Sequence, residues 1–149
     1  MSEAIIDRVS DQVKVAMKAR DKERLAALRL MMAEFKRVEV DERIELDDTR
    51  VLAILDKMTK QRKDSLKQFE DADRDDLAAK ESLELSIIAE FMPEQMDAEE
   101  LSALVKATIQ ELGASGMQDM GKVMGALKPK VQGRADMGQV SGQVKALLG

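Results

Sequence analysis

Leu25-Ala26-Ala27-Leu28-Arg29-Leu30-Met31-Met32-Ala33-Glu34-Phe35 is the stretch that decides the fold class. Leu25, Leu28, Met32 and Phe35 recur at three- and four-residue steps, widened by Met31 and Val38, which is one face of an α-helix and not the alternation of a half-buried strand. Asp21 stands where an N-cap belongs, with a short side chain able to accept from the free amides of the first turn. The same period continues on both sides. Residues 3–20 put Ile6, Val9, Val13 and Ala16 or Met17 on one face beside Ile5, and residues 49–71 put Val51, Leu55, Met58, Leu66 and Phe69 behind a cap at Asp47 or Asp48. A fourth helix carries Leu77, Glu84, Leu85, Ile88 and Phe91. With three Phe and no Trp or Tyr, the composition is also that of helices rather than strands. The expected fold is all-α: a helical N-terminal domain of about four helices plus a C-terminal three-helix unit.

Pro93 supplies the boundary. It disfavours helix at Met92 before it, so the fourth helix should end there and divide a domain 1–93 from a domain 94–149. Asp97-Ala98-Glu99-Glu100 reads as a capping box with Met96 and Leu101 as its staple, opening a helix through Leu104, Val105, Thr108, Ile109 and Leu112. Asp119 is the expected cap of a sixth helix, buried through Val123, Met124, Leu127 and Val131 and bent or ended by Pro129. Asp136, with Gln139 three residues on, starts a seventh, buried through Val140, Val144 and Leu147 or Leu148.

The chain has 24 basic and 29 acidic residues, so a nucleic acid would have to be met by a local patch. That patch is C-terminal. Residues 116–149 carry five basic and two acidic side chains, against one and five over 94–115. The absence of cysteine and histidine removes thiolate nucleophiles, zinc-finger spacing and the commonest general base. Gly116-x-x-x-x-Gly121-Lys122 matches much of a phosphate-binding loop, but Val123 cannot ligate magnesium and a helix, not a strand, precedes it. No serine stands three residues before a lysine and no nucleophile elbow occurs. No catalytic residue, cofactor or metal ligand is therefore assigned. The N-terminus lacks the basic start and apolar run of a secretory leader and no membrane span occurs, from which a cytoplasmic protein is expected.

Two arginines interrupt the apolar stripes. Arg62 replaces an apolar residue between Met58 and Leu66, and the simplest reading is a packed stem with its head paired to an acidic residue on a neighbouring helix. Arg29 is read as structural on the same grounds. The run Lys57, Lys60, Arg62, Lys63 and Lys67 reads as a solvated face and not as a binding site.

All eight glycines lie between Gly113 and Gly149, and two Gly-x-x-x-Gly pairs, Gly121/Gly125 and Gly138/Gly142, fall inside expected helices, where each glycine costs roughly 1 kcal/mol relative to alanine. Two explanations stand side by side. One is close packing of helices; the other is a small phosphate cradle of Lys122, Lys128, Lys130 and Arg134, with the amides at the Asp136 helix start, which the glycines allow a nucleic-acid backbone to approach. Without Trp or Tyr, recognition by base stacking is disfavoured.

Asp119-Met120-Gly121-Lys122-Val123-Met124-Gly125, Pro129-Lys130-Val131, Gly133-Arg134-Ala135-Asp136 and the closing Val140 to Leu148 resemble the C-terminal motif of the GatB/YqeY family. Leu28-Arg29-Leu30, Lys60-Gln61-Arg62-Lys63-Asp64-Ser65, Arg74-Asp75-Asp76-Leu77-Ala78 and Met92-Pro93-Glu94-Gln95 are similar to its free-standing YqeY-like members. The resemblance implies a C-terminal module shared with the tail of the B subunit of glutamine-dependent aspartyl/glutamyl-tRNA amidotransferase, a tail that contacts tRNA. It carries over Gly121, Lys122, Met124, Gly133, Arg134, Ala135, Asp136 and Val140. The family is often described as carbon–nitrogen ligases with glutamine as amido donor, but the phosphorylating domain and the amidase signature are both missing here. The expectation is an accessory tRNA-binding or amidotransferase-associated protein, with Gly121, Lys122, Lys128, Lys130, Gly133, Arg134 and Asp136 as RNA-binding residues and a protein partner in tRNA amidation or translation. The rivals are a ligase subunit acting in trans and a helical adaptor that contacts no RNA.

Overall fold

A computed structural model describes residues 3–149, and among them the regular structure is entirely helical. The helices are α1 (Ile5–Ala19), α2 (Lys22–Glu42), α3 (Asp48–Asp71), α4 (Asp75–Ala89), α5 (Ala98–Leu112), α6 (Met120–Val131) and α7 (Met137–Leu148), with a 3-10 turn at Met117–Asp119. The chain forms two compact units, one ending at Met92 and one beginning at Pro93.

In the first unit, α3 packs along α4 and α1 along α2. Its core is Val9, Leu28, Met31, Phe35, Val51, Leu55, Ile87 and Phe91 with their neighbours, so the stripe of α2 is buried as its spacing requires. Asp21 and Asp47 cap α2 and α3 by accepting from the amides of Arg24 and Arg50 at 3.2 and 2.9 Å. Helix α1 has no cap of its own sequence. The Oδ1 of Asp48, 43 residues away, accepts from the Ile5 amide at 2.9 Å and serves its first turn instead. Arg24 grips both carboxylate oxygens of Glu90 at 2.6 and 3.0 Å and the Gln12 side-chain oxygen at 3.0 Å, tying α1, α2 and the end of α4 together.

Helices α1, α2 and α3 stop without glycine. Arg20, Arg43 and Asp73 adopt left-handed backbone, with φ of 58, 55 and 56°, and the amides of Asp21, Ile44 and Arg74 reach back to the carbonyls of Ala16, Glu39 and Phe69.

The second unit is built from α5, α6 and α7 around Leu101, Val105, Val123, Leu127, Val131, Ala135, Val140, Val144 and Leu148. Asp97 caps α5 at the Glu100 amide (2.8 Å) and Asp136 caps α7 at the Gln139 amide (3.2 Å). Two local expectations fail. Asp119 does not cap α6: its Oδ2 turns back to the Ser115 amide at 3.0 Å, bracing the 3-10 turn. Pro129 does not end α6, which runs on to Val131; the carbonyl that loses its partner belongs to Gly125, four residues back and exposed, so water can satisfy it.

Candidate nucleic-acid interface

The turn from α6 to α7 is the most constrained part of the second unit. Gly133 is buried with φ 76°, the left-handed residue that ends α6, and the amides of Arg134 and Ala135 both return to the Val131 carbonyl at 2.8 and 3.0 Å. The segment ahead of α5 is stitched onto this turn by three bonds. The Gln95 side-chain amide donates to the Gly133 carbonyl at 2.7 Å, the Met96 amide to the Arg134 carbonyl at 2.8 Å, and the Arg134 Nε to the Glu94 carbonyl at 2.9 Å. Arg134 Nη2 also lies 3.6 Å from a Glu100 carboxylate oxygen.

These contacts sort the expected site residues into two groups. Gly133, Arg134 and Asp136 hold the turn: one by its backbone angle, one by its guanidinium, one by capping α7. The Asp136 carboxylate also sits at the α7 amides where a phosphate was expected, and opposes an anion there. Glu100 does not complete the capping box at Asp97, since its carboxylate faces Arg134. In the sequence Glu94 and Gln95 stand out only within the family-like segment Met92-Pro93-Glu94-Gln95 at the domain boundary, and nothing local ties them to this turn, 38 to 40 residues away.

Gly121, Lys122, Lys128 and Lys130 form the second group, all exposed on α6. At about 100° per residue, Gly121, Lys122, Gly125 and Pro129 share the face opposite Val123, Leu127 and Val131, with Lys128 on its flank, whereas Lys130 lies further round, beside Val123. The helix-packing explanation of the glycines fails within this unit. A Cβ at Gly121, Gly125 or Gly142 would meet nothing within 4 Å, and one at Gly138 would meet only the Asp136 side chain. What α6 offers outward is bare backbone bordered by two ammonium groups, those of Lys122 and Lys128, with a third at the end of the helix on Lys130. Among the described residues no group of three or more carboxylates could hold a metal ion.

Comparison with known proteins settles the family: the sequence pattern of the Yqey-like proteins matches residues 6–148. The chain belongs to the YqeY-like family. Among relatives of this YqeY-like chain is the altered inheritance of mitochondria protein 41, mitochondrial, of Pyrenophora tritici-repentis, 26% identical over 97% of this chain and 81% of that protein. Proteins of the same name from Eremothecium gossypii and Saccharomyces cerevisiae are 35% and 29% identical, over 70% and 98% of this chain and 58% and 69% of theirs. These names overturn the cytoplasmic expectation. That expectation rested on finding neither a secretory leader nor a membrane span, and neither test bears on residence in an organelle.

Proposed function

We propose that this YqeY-like protein is an accessory RNA-binding protein of the tRNA-amidation or translation machinery, contacting tRNA phosphates through the outer face of α6. The observation that carries this reading is the open space over Gly121 and Gly125 between Lys122 and Lys128, with Lys130 exposed at the end of the same helix. An exposed helix interior gains nothing from glycine unless another backbone comes close, and lysines around such a strip supply the counter-charge for a phosphodiester. Arg134 and Gly133 support the strip by fixing where α6 ends. In this reading the face binds RNA and the chain has no catalysis of its own.

The test is a tRNA titration across salt concentrations. Three phosphate contacts give a log–log slope near −2.7, at about 0.9 counterions released per duplex contact. Replacing all three lysines by alanine should bring the slope toward zero with helicity intact, and Gly125→Leu should weaken binding by blocking the strip. Unchanged affinity and slope in the triple variant would remove the reading.

A further inference from the structure

Helix α2 carries a second outward pattern, on the unit that plays no part in the RNA reading. Lys22, Ala26, Arg29, Ala33, Lys36 and Val40, followed by Arg43 at the left-handed cap, are spaced alternately four and three apart, and all seven are exposed, Val40 at 61%. Alternating four and three is the heptad spacing of a seam between two helices. One seam position holds only cations and the other only small apolar residues. The seam lies opposite Ala27, Leu28, Met31 and Phe35, which face the core.

Three features separate this seam from a plain solvated face. The helix contains Glu23, Glu34, Glu39, Asp41 and Glu42, yet none of them falls in the row, whereas a solvated face mixes signs because opposite charges four apart stabilise it. Other arginines of the helix are paired, Arg24 with Glu90 and Arg37 with Glu34 and Asp41, but among the described residues Lys22, Arg29, Lys36 and Arg43 make no ion pair or side-chain hydrogen bond. The N-terminal half of the row also opens onto a groove of about 620 Å³ between α2 and α4, whose walls include the apolar Ala26, Ala79 and Leu83 and the acidic Glu23, Asp76 and Glu84, so it suits the apolar side chains of a partner and not its carboxylates.

We propose that this row docks an acidic amphipathic helix of a partner protein, with carboxylates opposite Lys22, Arg29, Lys36 and Arg43 and large apolar side chains opposite Ala26, Ala33 and Val40. Charge selects the partner. Three cations of the helix, Lys22, Arg29 and Lys36, at about 10.5 Å intervals need anions at the same rise, which seven-residue spacing on a second helix provides, and Arg43 adds a fourth charge just past the helix end. The small residues between them leave room for large side chains, and a phosphodiester has no apolar row to place there. A second copy of this chain does not fit, because no helix among the described residues carries three carboxylates at seven-residue spacing.

The experiment follows backbone amide resonances of the full chain during titration with a synthetic four-heptad peptide bearing Glu and Leu at the two seam positions, beside a Lys–Leu peptide and an RNA hairpin. The Glu–Leu peptide should move the amides of Ala26, Ala33 and Val40, and the Lys–Leu peptide should not. Arg29→Glu with Lys36→Glu, or Ala33→Glu alone, should weaken the Glu–Leu peptide at least tenfold while the melting temperature stays near that of the parent. The proposal is overturned if the Glu–Leu peptide leaves those amides unmoved at low salt, or if the seam variants bind it as the parent does. Movement caused by the RNA hairpin alone would also overturn it and assign the seam to nucleic acid. The Lys122, Lys128 and Lys130 variants should bind the peptide unchanged, so this result and that of the tRNA titration are independent.

Discussion

Arg62 on α3 places Nη1 2.7 Å from Glu84 Oε2 and 3.4 Å from Glu81 Oε2 on α4, so one guanidinium serves two carboxylates. Glu84 is only 5% exposed. Burial pushes its carboxyl above the usual range; Arg62 pulls it back, Glu81 pushes it further up and Lys80 offsets part of that. The arginine that breaks the apolar stripe of α3 thus sits opposite a buried acid.

Removing the guanidinium leaves a buried carboxylate without its partner, so Arg62→Met should lower stability at neutral pH by about 3 kcal/mol. Because the folded state holds the Glu84 proton more readily than the unfolded chain, the stability linked to it is full below the ordinary carboxylate pKa and is lost as pH rises through the raised one. Glu84→Gln, neutral throughout, should remove that pH dependence and be at least as stable as the parent at pH 7. Urea unfolding of parent and both variants at acidic and neutral pH checks the sign; an Arg62→Met loss that grows toward acid would contradict it.

Two glycines of the second unit should respond in opposite directions to alanine. Gly125 is an exposed helix-interior residue with open space around its missing Cβ, so Gly125→Ala should stabilise by about 0.5–1 kcal/mol. Gly133 is held at φ 76°, where an L side chain is strained, and Gly133→Ala should destabilise by about 1–2 kcal/mol. Thermal melts of the two variants decide it, and equal effects would mean that the turn relaxes.

The left-handed caps of the first unit reverse that experiment. Arg20, Arg43 and Asp73 occupy a backbone region that glycine enters without penalty, so Arg20→Gly should raise stability by roughly 0.5–1 kcal/mol, despite the entropy glycine adds to the unfolded chain. Denaturant midpoints at constant slope measure it; a lower midpoint would show that the Arg20 stem contributes packing.

Arg134→Ala should act on the fold more than on RNA. Its Nε bond to Glu94 anchors the segment before α5, so its loss should cost about 1 kcal/mol of stability. The salt dependence of tRNA binding should stay near that of the parent. A slope reduced by close to one unit would return Arg134 to the phosphate-contacting set.

What could be read from the sequence was what adjacent residues decide. The stripe of Leu28, Met32 and Phe35, and the caps at Asp21, Asp47, Asp97 and Asp136, each act within about four residues, and all are where their spacing puts them. Arg62 was legible because a charge within an apolar stripe has to be answered by a neighbouring helix. The misses depend on partners that local reading does not see. Asp119 had a competing amide at Ser115, and Glu100 was drawn to Arg134. Arg29 borders a stripe like Arg62, but no described carboxylate faces it and it points outward, against its structural reading. Whether Gly121 and Gly125 meet another helix depends on how α5, α6 and α7 pack, which periodicity within one helix leaves open.

The bond from Asp48 to Ile5 gives the order of synthesis a part in the assembly of the first unit. Within this unit helix α1 is made before α2 and α3, but its opening turn waits for a carboxylate that is translated 43 residues later. At about 5–20 residues per second that interval is roughly 2–9 s, long against helix formation, so α1 emerges with its first amides bonded only to water. The turn closes only when the corner between α2 and α3 arrives, so the first helix of this unit is completed after the second.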